Sequence, residues 1–248
     1  MNRALRRRPF AVLPTVLVAA VIGSVGLGGC GTVPTGRSST DPSLAAPQAT
    51  RTGAASAGSG GTCEYTPTGE AARPVSLPPT SGVPTSGTVA YVLKMTNGDV
   101  TITLDRAKAP CTVNSFESLS DQGYFNATKC HRLADSGIFI LQCGDPTGTG
   151  GGGPGYQFAN ETDGTESYTS GVVAMANGGP GTNGSQFFII WDDSTGLDKT
   201  PNYTIFGTID SESRDVVASM AGEGQDGSNP SGGGRPNNPS EIVTATRK

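Results

Sequence analysis

Alternation between apolar and polar positions starts at Val89. Val89, Tyr91, Leu93 and Met95 stand at alternate positions, Asn97-Gly98 follows, and Val100, Ile102 and Leu104 resume the pattern. A period of two places every second side chain on one face of a strand, so this stretch predicts a β-hairpin with Asn97-Gly98 in a primed turn. The period then changes. Val113, Phe116 and Leu119 recur every third residue behind Pro110, which suits the first turn of a helix, and Gly123 supplies a stop. Apolar runs at Ile138 to Gln142, Gly171 to Ala176, Gln186 to Trp191, Tyr203 to Ile209 and Glu241 to Thr246 are separated by Gly, Pro, Asn and Asp, and read as strands. A second helix is expected around Asp215 to Ala221, where Val216, Val217 and Met220 are apolar, ahead of a Gly/Asn/Pro-rich loop from Gly222 to Pro239. Many short strands with two helices predict a mainly β domain, a closed barrel whose ends the helices cover. No internal repeat is present.

Upstream of the alternating region the pattern is absent. From Gly31 to about Gly87 the chain is dominated by Thr, Ser, Pro, Gly and Ala, too little apolar surface to offset chain entropy. Residues 30–87 therefore read as a disordered tether and 88–248 as the folded domain. At the start of the chain, Arg3, Arg6, Arg7 and Arg8 precede an apolar segment from Phe10 to Val25, interrupted by Pro14. This is the pattern of an export signal over residues 1–29. It ends in Leu27-Gly28-Gly29-Cys30, which resembles the bacterial lipobox, in which the thiol, here of Cys30, carries a diacylglyceryl group. A plain secretory signal and a retained anchor helix are the alternatives, and all three place the domain outside the cytoplasm. Acyl chains, at about 0.8 kcal/mol per buried methylene, would hold the protein on a membrane surface.

Composition narrows the chemistry. A net charge of −4, with no Lys/Arg cluster after Arg8, argues against nucleic acid as a partner. Setting Cys30 aside leaves Cys63, Cys111, Cys130 and Cys143, an even number that predicts two disulfides in an oxidising compartment, with three pairings open. Their spacings match no common zinc pattern, and a single histidine, His131, makes a mixed site harder still, so no metal is expected. Gly148-Thr149-Gly150-Gly151-Gly152-Gly153 satisfies the glycine spacing of a dinucleotide loop, but Pro154-Gly155-Tyr156 breaks the chain where a helix must open. It reads as a surface loop, and no cofactor is expected.

Three stretches carry a family likeness: His131-Arg132-Leu133 followed by Phe139-Ile140-Leu141-Gln142-Cys143-Gly144-Asp145; Met175-Ala176-Asn177 followed by Gly179-Pro180; and Asn183-Gly184-Ser185-Gln186-Phe187-Phe188. In order and spacing they resemble the cyclophilins, and Leu197-Asp198 with Tyr203 to Gly207 extend the likeness from about Thr88 to the C-terminus. The resemblance implies an eight-stranded antiparallel barrel with a helix at each end and peptidyl-prolyl cis-trans isomerase activity. It also implies a role for each matching residue. Arg132 would donate to the prolyl nitrogen as the imide twists; Phe139, Ile140, Phe188 and Leu197 would floor the proline pocket. Gln142 would position Arg132 and bond substrate, Gln186 would line the groove, Ala176, Asn177 and Gly178 would present backbone groups to the residues before proline, and Tyr203 would supply an aromatic wall.

The chemistry fits these residue types. The rotation barrier of about 18–20 kcal/mol comes from amide resonance, so a fixed guanidinium that binds the twisted, pyramidal nitrogen better than the planar one lowers it. Arg keeps its charge and holds its donors in a rigid fork. His131 reads as structural, because the reaction needs no general base. Two departures from the family pattern stand out: Gly196 where many members have Trp, and Tyr203 where many have His, which puts binding of cyclosporin-like macrocycles in doubt. Cys130 and Cys143 lie on strands expected to be neighbours, which favours their pairing and leaves Cys63 with Cys111. The expected partners are proline-containing segments of exported polypeptides, met by a monomer on its lipid anchor; a proline-binding module or holdase chaperone with little turnover is the alternative.

Overall fold

The computed structural model describes residues 60–248; the signal reading of 1–29, the lipidation of Cys30 and the first part of the tether lie outside the described residues. Three short strands come first, β1 (Gly61–Thr62), β2 (Thr66–Pro67) and β3 (Ser81–Val83). The expected hairpin follows as β4 (Thr88–Met95) and β5 (Gly98–Asp105), then α1 (Pro110–Asp121), β6 (Thr128–Lys129), β7 (Arg132–Ser136), β8 (Ile138–Cys143) and β9 (Tyr156–Gln157). The chain closes with β10 (Val172–Met175), β11 (Phe187–Ile190), β12 (Ile205–Ile209), α2 (Ser211–Gly222) and β13 (Glu241–Arg247).

Nine of these strands form one antiparallel sheet in the order β6, β13, β4, β5, β12, β10, β11, β8, β7. The expectation of a closed eight-stranded barrel is corrected here: no ladder joins the end strands β6 and β7. Only Cys130 and His131 separate those two strands in sequence, so the sheet must curl until its edges stand a few residues' reach apart. The hairpin turn also differs. Met95 pairs with Gly98, so Thr96-Asn97 form the loop, and Gly98, at φ 134°, is where the backbone turns positive. Asn97 does not adopt the positive φ that a primed turn requires.

Both faces of the sheet are apolar. One face packs Tyr91, Leu93, Ile102, Leu104, Leu141, Phe187 and Phe206 against Val113, Phe116 and Leu119 of α1 and Val217 and Met220 of α2. Phe116 is a hub of this core, stacked on Phe125 at 5.0 Å and edge-on to Phe187 at 5.6 Å. Pro110 opens α1 as expected; α2 begins four residues earlier than its apolar pattern indicates, because Asp210 caps it by accepting from the Ser213 amide at 2.8 Å. The other face carries a smaller cluster, Ala134, Ile140, Tyr168, Val172, Ala174, Phe188, Ile190 and Ile205. This second face positions the site.

The tether reading fails for residues 60–87. β1 pairs with β3, β2 pairs with β9, and a Cys63–Cys111 disulfide ties the segment to α1. Arg73 adds three bonds, Nη1 donating to the carbonyls of Gly123, Tyr124 and Asn126 at 3.0, 2.6 and 2.6 Å. The segment has no periodicity because it folds onto existing structure through a covalent link, polar bonds and isolated apolar anchors, Tyr65, Val75 and Val83, that do not repeat along the chain.

Candidate active site

Register across the second face lines up the central residues. Arg132 on β7 sits opposite Gln142 on β8, Gln142 opposite Phe188 on β11, and Phe188 opposite Ala174 on β10. The Cys130–Cys143 disulfide, with the His131 amide donating to the Gln142 carbonyl at 3.0 Å, pins the strand ends that carry Arg132 and Gln142. Both pairings expected for the four cysteines are therefore formed.

A cleft of about 380 Å³ opens on this row, lined by Arg132, Ile138, Ile140, Gln142, Ala176, Asn177, Phe188, Leu197, Tyr203 and Ser231. Ile140 and Phe188 are buried beneath it, Leu197 reaches it from a single turn of 3-10 helix, Leu197–Lys199, and Tyr203 stands edge-on to Phe188 at 5.5 Å. Tyr203 is held by the buried hydroxyl of Tyr168, which accepts from its amide at 3.0 Å and donates to its carbonyl at 2.9 Å. Burial pushes the Tyr168 phenol up to about 12, so it stays a neutral donor.

Arg132 is held on three sides. Nε donates to the Gly232 carbonyl at 2.9 Å, Nη2 to the Ser231 carbonyl at 3.1 Å and Nη1 to Gln142 Oε1 at 3.3 Å. Burial pulls its guanidinium below the ordinary value, with Tyr203 acting in the opposite sense. The guanidinium thus faces a cavity with an apolar floor and a polar rim, its orientation set by protein acceptors, the arrangement that makes a donor effective without reorganisation.

A relay continues from it. Gln142 Nε2 donates to Gln186 Oε1 at 2.9 Å, and Gln186 Nε2 donates to the carbonyls of Gly150 and Gly152, each at 2.9 Å. The glycine-rich loop is wound around the buried Asp145, whose carboxylate accepts from the amides of Thr147, Thr149, Gly150 and Gly152 and from the Thr147 hydroxyl. Burial pushes that carboxyl up, but the bonds from Thr147, Gly152 and Gly150 outweigh it and hold it below the usual range. The loop forms one wall of a second cleft, about 460 Å³, which shares Gln142, Ala176 and Asn177 with the first.

The expected residues divide accordingly. Arg132, Ile140, Gln142, Ala176, Asn177, Phe188, Leu197 and Tyr203 converge on the first cleft, while Gly178 and Gln186 line the second. Phe139 is the correction: it packs edge-on to Trp191 at 5.1 Å, away from the pocket. Consecutive strand residues face opposite ways, so Ile138, not Phe139, shares the face of Ile140 and Gln142. Ser231, Gly232 and Tyr168 were not legible either, since their roles arise from distant segments meeting. His131 is buried, with neither ring nitrogen partnered among the described residues.

Comparison with known proteins agrees with this geometry. Residues 91–247 match the family described as cyclophilin type peptidyl-prolyl cis-trans isomerase/CLD. The protein named "Probable peptidyl-prolyl cis-trans isomerase B" of Mycobacterium tuberculosis is 43% identical over 207 residues, covering 77% of this chain and 64% of that protein. Peptidyl-prolyl cis-trans isomerase A of the same organism is 38% identical over 181 residues, covering 64% of this chain and 92% of that protein. The crystal structure of a cyclophilin type isomerase from Cryptosporidium parvum is 29% identical with a TM-score of 0.57, covering 65% of this chain and 98% of that one. The same Cryptosporidium protein has been solved in the presence of the dipeptide Ala-Pro, with a TM-score of 0.56, 29% identity and coverage of 64% of this chain and 98% of that one. The fold, the convergence of the matched residues on one cleft and the match over 91–247 together place this chain in the cyclophilin-type peptidyl-prolyl cis-trans isomerase family.

Proposed function

We propose that the protein accelerates cis-trans rotation about X-Pro bonds, with Arg132 holding the twisted imide over the cavity floored by Ile138, Ile140, Phe188 and Leu197. The observation that carries this reading is the guanidinium fixed by Gln142 and two loop carbonyls at the rim of that cavity. The proline ring enters the apolar floor, which leaves the imide at the rim. As the nitrogen leaves conjugation its lone pair, until then delocalised into the carbonyl, localises on it, and a guanidinium N–H donates to that pair. The planar imide offers no such lone pair, so the bond stabilises the transition state selectively. No proton is transferred and no covalent bond is made or broken.

Exported polypeptides are the proposed substrates, and the outer face of a cell membrane the proposed location. The leader pattern and Cys30 support this, as do two disulfides, which persist outside the reducing cytosol.

An NMR exchange measurement on an Ala-Pro peptide tests the activity: the folded chain accelerates exchange, and no acceleration rejects the proposal. Arg132→Ala lowers kcat/KM by about 10²–10³-fold, the cost of one preorganised transition-state donor. Arg132→Lys, which keeps the charge without the fork, recovers little. Retained turnover in Arg132→Ala would leave a proline-binding groove whose chemistry lies elsewhere.

A further inference from the structure

The second cleft has a wall that lies outside the family match. Segment 66–72 runs along the glycine-rich loop and β9: Thr66 and Pro67 pair with Gln157 and Tyr156, the Thr68 amide donates to the Gly155 carbonyl at 2.9 Å, and the Ala72 amide to the Gly153 carbonyl at 2.9 Å. Glu70 is at the centre of the clip these bonds make. The approach is close enough that a Cβ on Gly155 would lie 2.9 Å from the Gly69 carbonyl oxygen, so the segment's path is set by backbone contact. The cleft is walled by the backbone of five consecutive residues, Gly150 to Pro154, and by neutral polar side chains; Glu70 is the one Asp, Glu, Lys or Arg lining it. Among the described residues no hydrogen bond or ion pair engages its carboxylate. The cleft adjoins the proline cavity through Gln142, Ala176 and Asn177, so an extended peptide whose proline fills the first cleft projects a flanking side chain into the second.

We infer that Glu70 makes this protein selective for X-Pro segments with a Lys or Arg two or three residues from the proline, the aliphatic stem lying along the glycine wall and the cationic head meeting the carboxylate. The inference rests on the isomerase reading above. The family match begins at residue 91, so the determinant is supplied by the ordered segment that precedes the matched domain.

The test uses peptides of one frame carrying Lys, norleucine or Glu at positions two and three residues from proline on either side, with exchange rates measured by NMR on the full chain. At one position the ratio of kcat/KM for Lys over norleucine is about two- to five-fold, the range of an exposed ion pair. The ratio contracts towards one at about 1 M salt, where the screening length is about 3 Å. It falls to one in Glu70→Gln, and in Glu70→Lys the preference passes to the Glu peptide. A ratio identical in wild type and Glu70→Gln overturns the selectivity while the isomerase reading stands; no turnover of any peptide overturns both.

Discussion

Ile140 and Phe139 are neighbours of similar hydrophobicity with opposite fates, one flooring the cleft and the other packed on Trp191. The alternation of a strand decides this, and the parity of Ile138, Ile140 and Gln142 was available in the sequence; what concealed it was the likeness, which matched residue types without assigning a face. His131 shows the converse. Its isolation was readable, but its burial with two unpartnered nitrogens is a tertiary fact. Burial holds the imidazole below its ordinary 6.5, the Asp145 carboxylate and the neighbouring Gln186 side chain opposing and Arg132 reinforcing. The unfolded chain therefore binds more protons than the folded one below about 6.5, and stability falls as pH is lowered from 7 towards 5. Urea midpoints measured across that range should show this slope in the wild type and a flatter one in His131→Gln; equal slopes would assign the loss to other groups.

At the scale of elements, apolar periods located β4, β5 and α1, each of which buries a repeating face, and apolar runs bounded by turn residues located β8, β10, β11, β12 and β13, all to within a few residues; β10 and β11 are buried at every position. Elements whose function is positional escaped. The loop after α2 looks like a spacer, yet it lies on the edge strand β7: the Leu133 amide donates to the Gly234 carbonyl at 2.7 Å and the Gly234 amide to the Leu133 carbonyl at 3.0 Å. That contact delivers the Ser231 and Gly232 carbonyls to Arg132. Gly233 makes it possible, with φ at 77° and no Cβ to strike the Leu133 carbonyl. Gly233→Ala should lift the loop, shift the Arg132 Nε–H resonance and lower kcat by about tenfold, the order expected when a catalytic group is displaced by a fraction of an ångström. An unchanged resonance with reduced activity would mean the loop acts by another route.

At the scale of the whole molecule, the two cross-links among the described residues serve different ends. Cys130–Cys143 joins the strands that carry Arg132 and Gln142, whereas Cys63–Cys111 spans 48 residues and binds the 60–87 segment to α1. Closing a loop of that length restricts the unfolded chain by about 4 kcal/mol in the chain-entropy account. Replacing both Cys63 and Cys111 with Ser should cost about 2–4 kcal/mol of stability. Hydrogen exchange should quicken in peptides from 60–87, including the Cys63 amide now bonded to the Thr80 carbonyl, more than in β10 or β11. Uniform acceleration across the chain would mean that the segment and the sheet open as one unit.

Periodic burial and local turn chemistry were enough to read a mainly β domain with two helices from this sequence alone, and ordered motifs identified its family and most residues of its cleft. Tertiary structure decided the rest: that the nine-stranded sheet leaves its edges unladdered, that residues 60–87 fold back, that Phe139 turns away, and that loop carbonyls hold Arg132. The division has one physical cause. Burial of a repeating face leaves a periodic trace along the chain, whereas a disulfide, a backbone carbonyl or a glycine contact joins residues far apart in sequence and leaves none.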